Sequence, residues 1–367
     1  MSTPGSRPIT VDAREYADTE ARLAALVRTN RDLVLLQGES IVALEAMARG
    51  LGGPTSRAVN VITSPYGAAL GRWLAAAGAS VENIDVGLQR GVRLDEVQAA
   101  LERGPVDIVS LVHAEAATGA ASPVAEIARC AHDAGALVLV DAVASIGAEP
   151  LEIDAWDLDL TALSAQKALG GPAGVCAVAI SDRAWQALDA NPAAPRDSAL
   201  SLLDWRERWI RAGRQAIPQI PHHLETRALA VALERIEHEG LDATIRRHQR
   251  SRDATRAGLR AAGLAPWVID DAGAAAVATL VTSPAGIEPA ELLAAARSAV
   301  PEAPLELAPG PLAQHALRVA HTGENARLAP VLAALAALAF GLASLGIGVD
   351  AGATVAAGLS GWQALSD

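Results

Sequence analysis

An α/β fold with a mainly parallel sheet follows from three features of the chain. Short, mainly apolar runs at residues 33–36, 108–112, 137–140 and 175–180 have the length and texture of strands buried on both faces. Between them lie stretches with apolar residues at helical spacing, and this alternation of strand and helix implies a parallel sheet covered on both sides. Polar residues, His113 and Asp141 among them, stand where two of the strands end, the edge at which open α/β sheets collect ligands.

Residues 14–30 place Leu23, Leu26 and Val27 on one face and predict a first helix. The strand at 33–36 then turns through Gly38-Glu39-Ser40 into a helix at 41–49. A strand at 59–62 leads through Tyr66-Gly67 to a helix around 70–77, which Gly78 ends; a strand at 81–86 and a helix at 94–101 follow. The strand ending at His113 precedes a helix at 124–134 that Gly135 caps, and the next strand delivers Asp141. A further strand is expected at 160–163. Beyond residue 180, helices are expected at 185–188, 200–212 and 224–239, with Pro195, Pro218 and Pro221 interrupting. A helix at 241–262 bridges to a smaller α+β domain with strands at 274–281 and 317–320 and a helix at 289–300. The expected domains are 1–238 and 239–367, and no linker is rich enough in Gly, Ser or Pro to let them move independently.

With 367 residues, a net charge of −12 and no internal period, the chain suits a globular enzyme rather than a repeat array. The acidic balance argues against nucleic acid and anionic membranes as partners, because binding phosphates needs clustered Lys and Arg. Small molecules are the expected partners. Cys130 and Cys176 lack CxxC or metal-ligand spacing and are expected to be reduced core residues, with no metal site. The first twenty residues lack an apolar core and a cleavage site, so no signal peptide is expected and the expected location is cytoplasmic. Residues 328–349 form an uncharged run of 22, a transmembrane length, but their Ala and Gly content and Pro330 predict a buried C-terminal helix instead.

The chemistry concentrates in residues 137–175. Asp141 leaves one strand end and Lys167, in Ser164-Ala165-Gln166-Lys167, leaves another, so both can face one pocket. A lysine amine forms a Schiff base with an aldehyde, and a carboxylate opposite a pyridine nitrogen favours its protonated form. That pairing serves a vitamin B6 cofactor; the two residues alone are equally consistent with a structural Asp and a surface Lys. The wider pattern of Asp141, Ser145, Gly147, Pro150, Asp159 and Gln166-Lys167-x-Leu-x-x-Pro172-x-Gly174 resembles the class V aminotransferases of pyridoxal 5′-phosphate (PLP) fold type I.

The resemblance covers about residues 30 to 345 and implies a homodimeric aminotransferase with a large cofactor domain and a small C-terminal domain. It makes Lys167 the Schiff-base lysine and Asp141 the partner of the ring nitrogen. Val143 lies against one ring face, Tyr66 of Pro65-Tyr66-Gly67 stacks on the other, and Gln166 faces the cofactor's oxygens. His113-Ala-Glu115-Ala-Ala-Thr118-Gly119 resembles a cofactor-binding loop of the family, although Ala116 and Ala117 lack the usual hydroxyls. Arg318, in His315-Ala-Leu-Arg318-Val-Ala-His321-Thr-Gly323, is implied as the receptor of the substrate carboxylate, for which a planar fork is suited. The resemblance also implies a Gly-Pro-rich N-terminal arm, for which no matching segment is expected in residues 1–30.

One departure changes the expected ligand. The family's cofactor phosphate sits on a helix N-terminus aided by hydroxyls. The matching turn here is Gly38-Glu39-Ser40-Ile41, with a carboxylate where a dianion would bind, and Ile220-Pro221 stands where a threonine-proline pair is usual. A neutral alcohol would instead donate a hydrogen bond to Glu39. The expectation is therefore an unphosphorylated B6 compound, pyridoxal or pyridoxamine, held as a substrate. Leu36-Gln-Gly-Glu-Ser40, the segment at 190–196 and Leu202-Leu-Asp-Trp205 also resemble the branch that transaminates free pyridoxamine with pyruvate. A second arginine of that branch corresponds to Pro309. A conventional PLP-bound aminotransferase of alanine or serine with glyoxylate or pyruvate, and a PLP lyase acting on a small amino acid, stay open as alternatives.

Overall fold

The computed structural model describes residues 10–364, so the first part of the region read as lacking a signal peptide, residues 1–9, lies outside the described residues. Helix α1 (Ala13–Leu26) is capped by Asp12, whose side chain accepts from Glu15 N. It stops four residues short of the expected end, because Arg28 takes a positive φ and Thr29 and Asn30 turn to bond Asp154. The chain then runs through β1 (Asp32–Gln37), α2 (Ile41–Leu51), β2 (Arg57–Ile62), α3 (Pro65–Ala76), β3 (Ser80–Asp85), α4 (Leu94–Leu101), β4 (Ile108–Val112), α5 (Val124–Asp133), β5 (Leu137–Asp141), β6 (Leu160–Ser164) and β7 (Val175–Ile180).

These strands form one seven-stranded sheet in the order β1-β7-β6-β5-β4-β2-β3. From β6 to β3 all pairings are parallel, while β7 runs antiparallel to both β6 and β1. The central strands β4, β6 and β7 are buried along their whole length, which is why they read as mainly apolar runs, broken only by Ser110, Thr161 and Ser164. The carboxyl ends of β2, β4, β5 and β6 thus lie along one edge, and Asp141 is the last residue of β5.

After α6 (Asp182–Ala190), the single helix expected at 200–212 is instead α7 (Leu202–Trp205) continued by a wide π turn, Arg206–Ile210. Helices α8 (His223–Glu239) and α9 (Leu241–Ala261) follow, and then a three-stranded antiparallel sheet of β8 (Ala278–Thr282), β9 (Leu305–Leu307) and β10 (Ala316–Ala320), backed by α10 (Pro289–Ala299). Strand β8 begins four residues later than expected. Residues 274–277 are apolar but bond elsewhere: Ala275 N donates to Gly119 O and Ala276 N to Glu149 Oε1. The C-terminal apolar run is α11 (Leu328–Ser344), which buries Val331, Leu335, Leu338 and Leu342 and ends in a loop before α12 (Ala351–Ala364). Among the described residues no helix is long and apolar enough to cross a membrane. Buried apolar residues form one cluster around the large sheet, reaching Ile236, and another from Ala254 to Leu342 around the small one. Cys176 is buried and Cys130, half-buried on α5, is not the core residue expected; both thiols are free.

Candidate active site

The large sheet's carboxyl edge and the small sheet enclose a cavity of about 420 Å³, a size typical of small-molecule sites. Asp141, Val143, Gln166, Lys167, Glu39, Ser40, Tyr66 and Arg318 all line it. Sequence distances of up to 279 residues are closed by the sheet order, which sets the ends of β5 and β6 side by side and the turn after β1 nearby.

Asp141 is almost fully buried, and its Oδ1 accepts from Val143 N at 2.9 Å. Burial, with the Glu39 charge, pushes this carboxyl up to about 6, against the pull of the Val143 donation and of Lys167. Lys167 is half-buried. Burial and the Arg318 charge hold its amine below the usual lysine range, although Glu39, Asp141 and Glu306 pull it back. Among the described residues none accepts a hydrogen bond from its Nζ. A buried carboxylate and an amine with no hydrogen-bond acceptor in one cavity fit a pyridine ring bearing an aldehyde or aminomethyl group.

Tyr66 opens helix α3, whose N-cap Ser64 accepts from Tyr66 N and Gly67 N. A Cβ at Gly67 would stand 2.7 Å from Val61 O, so a glycine there lets the helix seat against β2. The Tyr66 ring is left exposed at the cavity mouth.

At the other end of the cavity, Gly38 turns the chain with φ +130 into α2. Glu39 folds back over the helix start: its Oε2 accepts from Ile41 N at 2.9 Å and its Oε1 from Ser40 Oγ and Gln166 Nε2. Burial works against its charge, but the donations from Ser40, Gln166 and Ile41 and the nearby Lys167 outweigh it and hold the carboxyl below the usual range. The helix N-terminus therefore already carries an anion, made by the chain itself. The ring end of the cavity fits a B6 compound; the end where a phosphate would sit does not fit a dianion.

Arg318 projects from β10. Its Nε and one terminal nitrogen bond Glu306 Oε1 at 2.9 and 2.7 Å, and Nη1 donates to Ala116 O at 2.9 Å. Glu306 is its cross-strand partner on β9, a strand too short to be legible in the sequence. His113 is brought near the site but not into the cavity wall. Its N–H donates to Asp141 O while the ring lies edge-on to Trp156 with Nδ1 buried and unpartnered, and burial holds it down to about 4. His113 is not among the residues that line this cavity, and the bond to Asp141 is made by the backbone alone. The wall instead takes Glu115, whose carboxyl accepts from Thr63 Oγ1 at 2.6 Å and which burial pushes up to about 7. Leu88 and Pro309, Gly310, Pro311 and Leu312 also line it. Only tertiary closure brings these in, although the Pro-Gly-Pro sequence signals a turn at that point.

The family model of class V aminotransferases matches residues 10–292. The chain belongs to the class V aminotransferases. Its fold is the mixed α/β fold of the PLP fold type I enzymes. Among relatives, it is 31% identical over 313 residues to the pyridoxamine–pyruvate transaminase of Mesorhizobium japonicum, covering 85% of this chain and 79% of that one. The solved pyridoxamine–pyruvate aminotransferase from Mesorhizobium loti superposes with a TM-score of 0.91 at 28% identity, over 98% of this chain and 93% of that chain. For the alanine–glyoxylate aminotransferase from Nostoc sp. the TM-score is 0.80 at 26% identity, over 89% and 86%. As a class V aminotransferase the chain is an enzyme, and the fold family implies a B6 cofactor.

Proposed function

We propose that this aminotransferase moves an amino group between pyridoxamine and pyruvate, giving pyridoxal and alanine, and that it binds the B6 compound without a phosphate. Glu39 carries the reading. Its carboxylate takes the Ile41 N–H, the Ser40 hydroxyl and the Gln166 amide, the donors a phosphate at the start of α2 would need. Two unit charges of like sign at 4 Å oppose each other by about 1 kcal/mol in water and about 4 kcal/mol at a protein surface. A neutral hydroxymethyl group avoids that and donates to the carboxylate. The similarity to the two pyridoxamine–pyruvate enzymes supports the same reading.

A bound B6 ring supplies the electron sink that stabilises negative charge at the substrate's α-carbon. Ionised Asp141 holds the ring nitrogen in its protonated form. Val143 and Tyr66 enclose the two ring faces and keep water from them. Lys167 Nζ, held below the usual lysine range by burial and Arg318, would hold the carbonyl carbon of the bound ring and take and return the proton that the substrate carbon loses. Arg318 receives the carboxylate of the amino or 2-oxo acid on the donors that Glu306 and Ala116 leave free.

The same reading carries a homodimer of two-domain chains, 1–238 and 239–367, in a cytoplasmic location. Exposed Ile41, Tyr66, Ile220 and Leu224 support a second copy covering the cavity mouth. The test is product analysis with pyridoxal and, in turn, alanine and a β-substituted amino acid such as β-chloroalanine. From alanine, pyruvate with an equal amount of pyridoxamine is expected; no pyridoxamine from alanine, with pyruvate and ammonia released from the β-substituted acid, would mean elimination and would overturn the reading.

A further inference from the structure

Arg318 stands between two cavities, and their linings differ. The larger holds the ring-binding residues; apart from these and Glu115 its wall is apolar, with Leu88, Ala117, Ala144, Pro309, Pro311 and Leu312 contributing no hydroxyl, amide or charge. The smaller, about 140 Å³, shares Ala116, Gln166, Lys167 and Arg318 with it and adds Glu306. Among the described residues lining the larger cavity the cations are Lys167 and Arg318, against three carboxyl groups, Glu39, Glu115 and Asp141. Lys167 is committed to the carbonyl, and half of the Arg318 fork is already taken by Glu306.

We infer that the acceptor range extends from pyruvate to larger monocarboxylic 2-oxo acids with apolar side chains, that dicarboxylic acids are rejected, and that Glu306 is a specificity-determining residue in that rejection. One carboxylate finds the free edge of Arg318. An aliphatic side chain then meets the Leu88, Pro309 and Leu312 wall, where each added methylene gains about 10- to 200-fold when it is well packed. A second carboxylate meets that same wall without a donor, and Glu306 repels it from Arg318. This deepens the transaminase reading and rests on it. In every case the nitrogen leaves pyridoxamine for the acid's carbon 2. Pyridoxamine is oxidised by two electrons to the aldehyde, the 2-oxo acid is reduced by two to the amino acid, and water takes up and returns the exchanged oxygen.

The test compares kcat/KM for pyruvate, 4-methyl-2-oxopentanoate and 2-oxoglutarate with pyridoxamine as donor, and again with pyridoxamine 5′-phosphate. The apolar acid should fall within about tenfold of pyruvate or exceed it, and 2-oxoglutarate should lie at least about 100-fold below both. This order on the phosphorylated donor alone refutes the vitamer reading and leaves the acceptor class standing. Exclusive use of pyruvate, equal use of 2-oxoglutarate, or no turnover with either donor overturns the inference. Glu306→Gln should raise the relative use of 2-oxoglutarate about tenfold, through KM rather than kcat, and Glu306→Asp should restore the rejection. An unchanged acceptor ratio in Glu306→Gln removes Glu306 from the inference. Leu88→Ser should lower kcat/KM for 4-methyl-2-oxopentanoate at least about tenfold more than for pyruvate; an equal loss for both acids contradicts the apolar wall.

Discussion

Asp141 and Glu39 are carboxylates at the two ends of one cavity, and their surroundings drive them in opposite directions. Asp141 is buried with a single backbone donor, and burial lifts it to about 6. Glu39 lies at the open end with three donors and stays below the usual range. Donor count and burial, rather than residue type, decide what each does. The first is ready to share a proton with a ring nitrogen, and the second is a fixed anion that bars another anion.

The largest effect should come from the amine between them. Lys167→Ala should lower transamination by at least about 10³-fold and abolish the visible band formed with pyridoxal, since a positioned acid–base group is worth about 10² to 10⁴ before its covalent role is counted. Asp141→Ala should lower kcat by about 10³-fold with the fold intact by circular dichroism, as a charge 4 Å from the ring nitrogen is worth about 4 kcal/mol in a protein site. Glu39→Ser removes the repulsion and supplies a hydroxyl, so the affinity ratio of PLP to pyridoxal should rise by about 10- to 10³-fold. A ratio that does not move would show that the two ends of the cavity do not differ as described. Lowering the pH should separate the two carboxyls further. Below about 6 Asp141 takes up a proton in the free protein, and the affinity for pyridoxal should fall by about tenfold per pH unit while Glu39 stays ionised.

Glu149 gives a smaller, purely structural control on the effect of burial. It is buried, bonded by Ala276 N, and pushed up to about 7. A carboxyl whose folded value is raised stabilises the fold below the ordinary carboxylate range, and that contribution is lost as the pH rises through about 7. Glu149→Gln should therefore flatten the fall in Tm between pH 5 and 8, which a thermal melt series would read.

The large-sheet half of the site was legible because its residues follow strand ends and turns with local signatures: Asp141 after an apolar run, Glu39 and Ser40 after Gly38, Lys167 before Gly170-Gly171. The small-domain wall was not. Strand β9 has three residues, too few for a period, and its Glu306 meets Arg318 only through antiparallel pairing. Residues 274–277 read as strand from their apolar side chains, but their N–H groups are claimed by Gly119 and Glu149 across the molecule. His113 misled for a similar reason. A polar residue at a strand end is a fair candidate for a ligand contact, yet here the ring turns to Trp156 and only the backbone reaches Asp141. The buried helix expected from residues 328–349 ends at Ser344, since composition reports apolarity but not where α12 folds back against α9.

The central claim is that Glu39 makes this a site for an unphosphorylated B6 compound. Spectral titration of the cofactor-free protein with pyridoxal and with PLP, following the visible band and fitting both affinities, tests it most directly. Pyridoxal should bind at least as tightly as PLP. A protein that binds PLP far more tightly, or that is purified yellow with PLP retained, would contradict it.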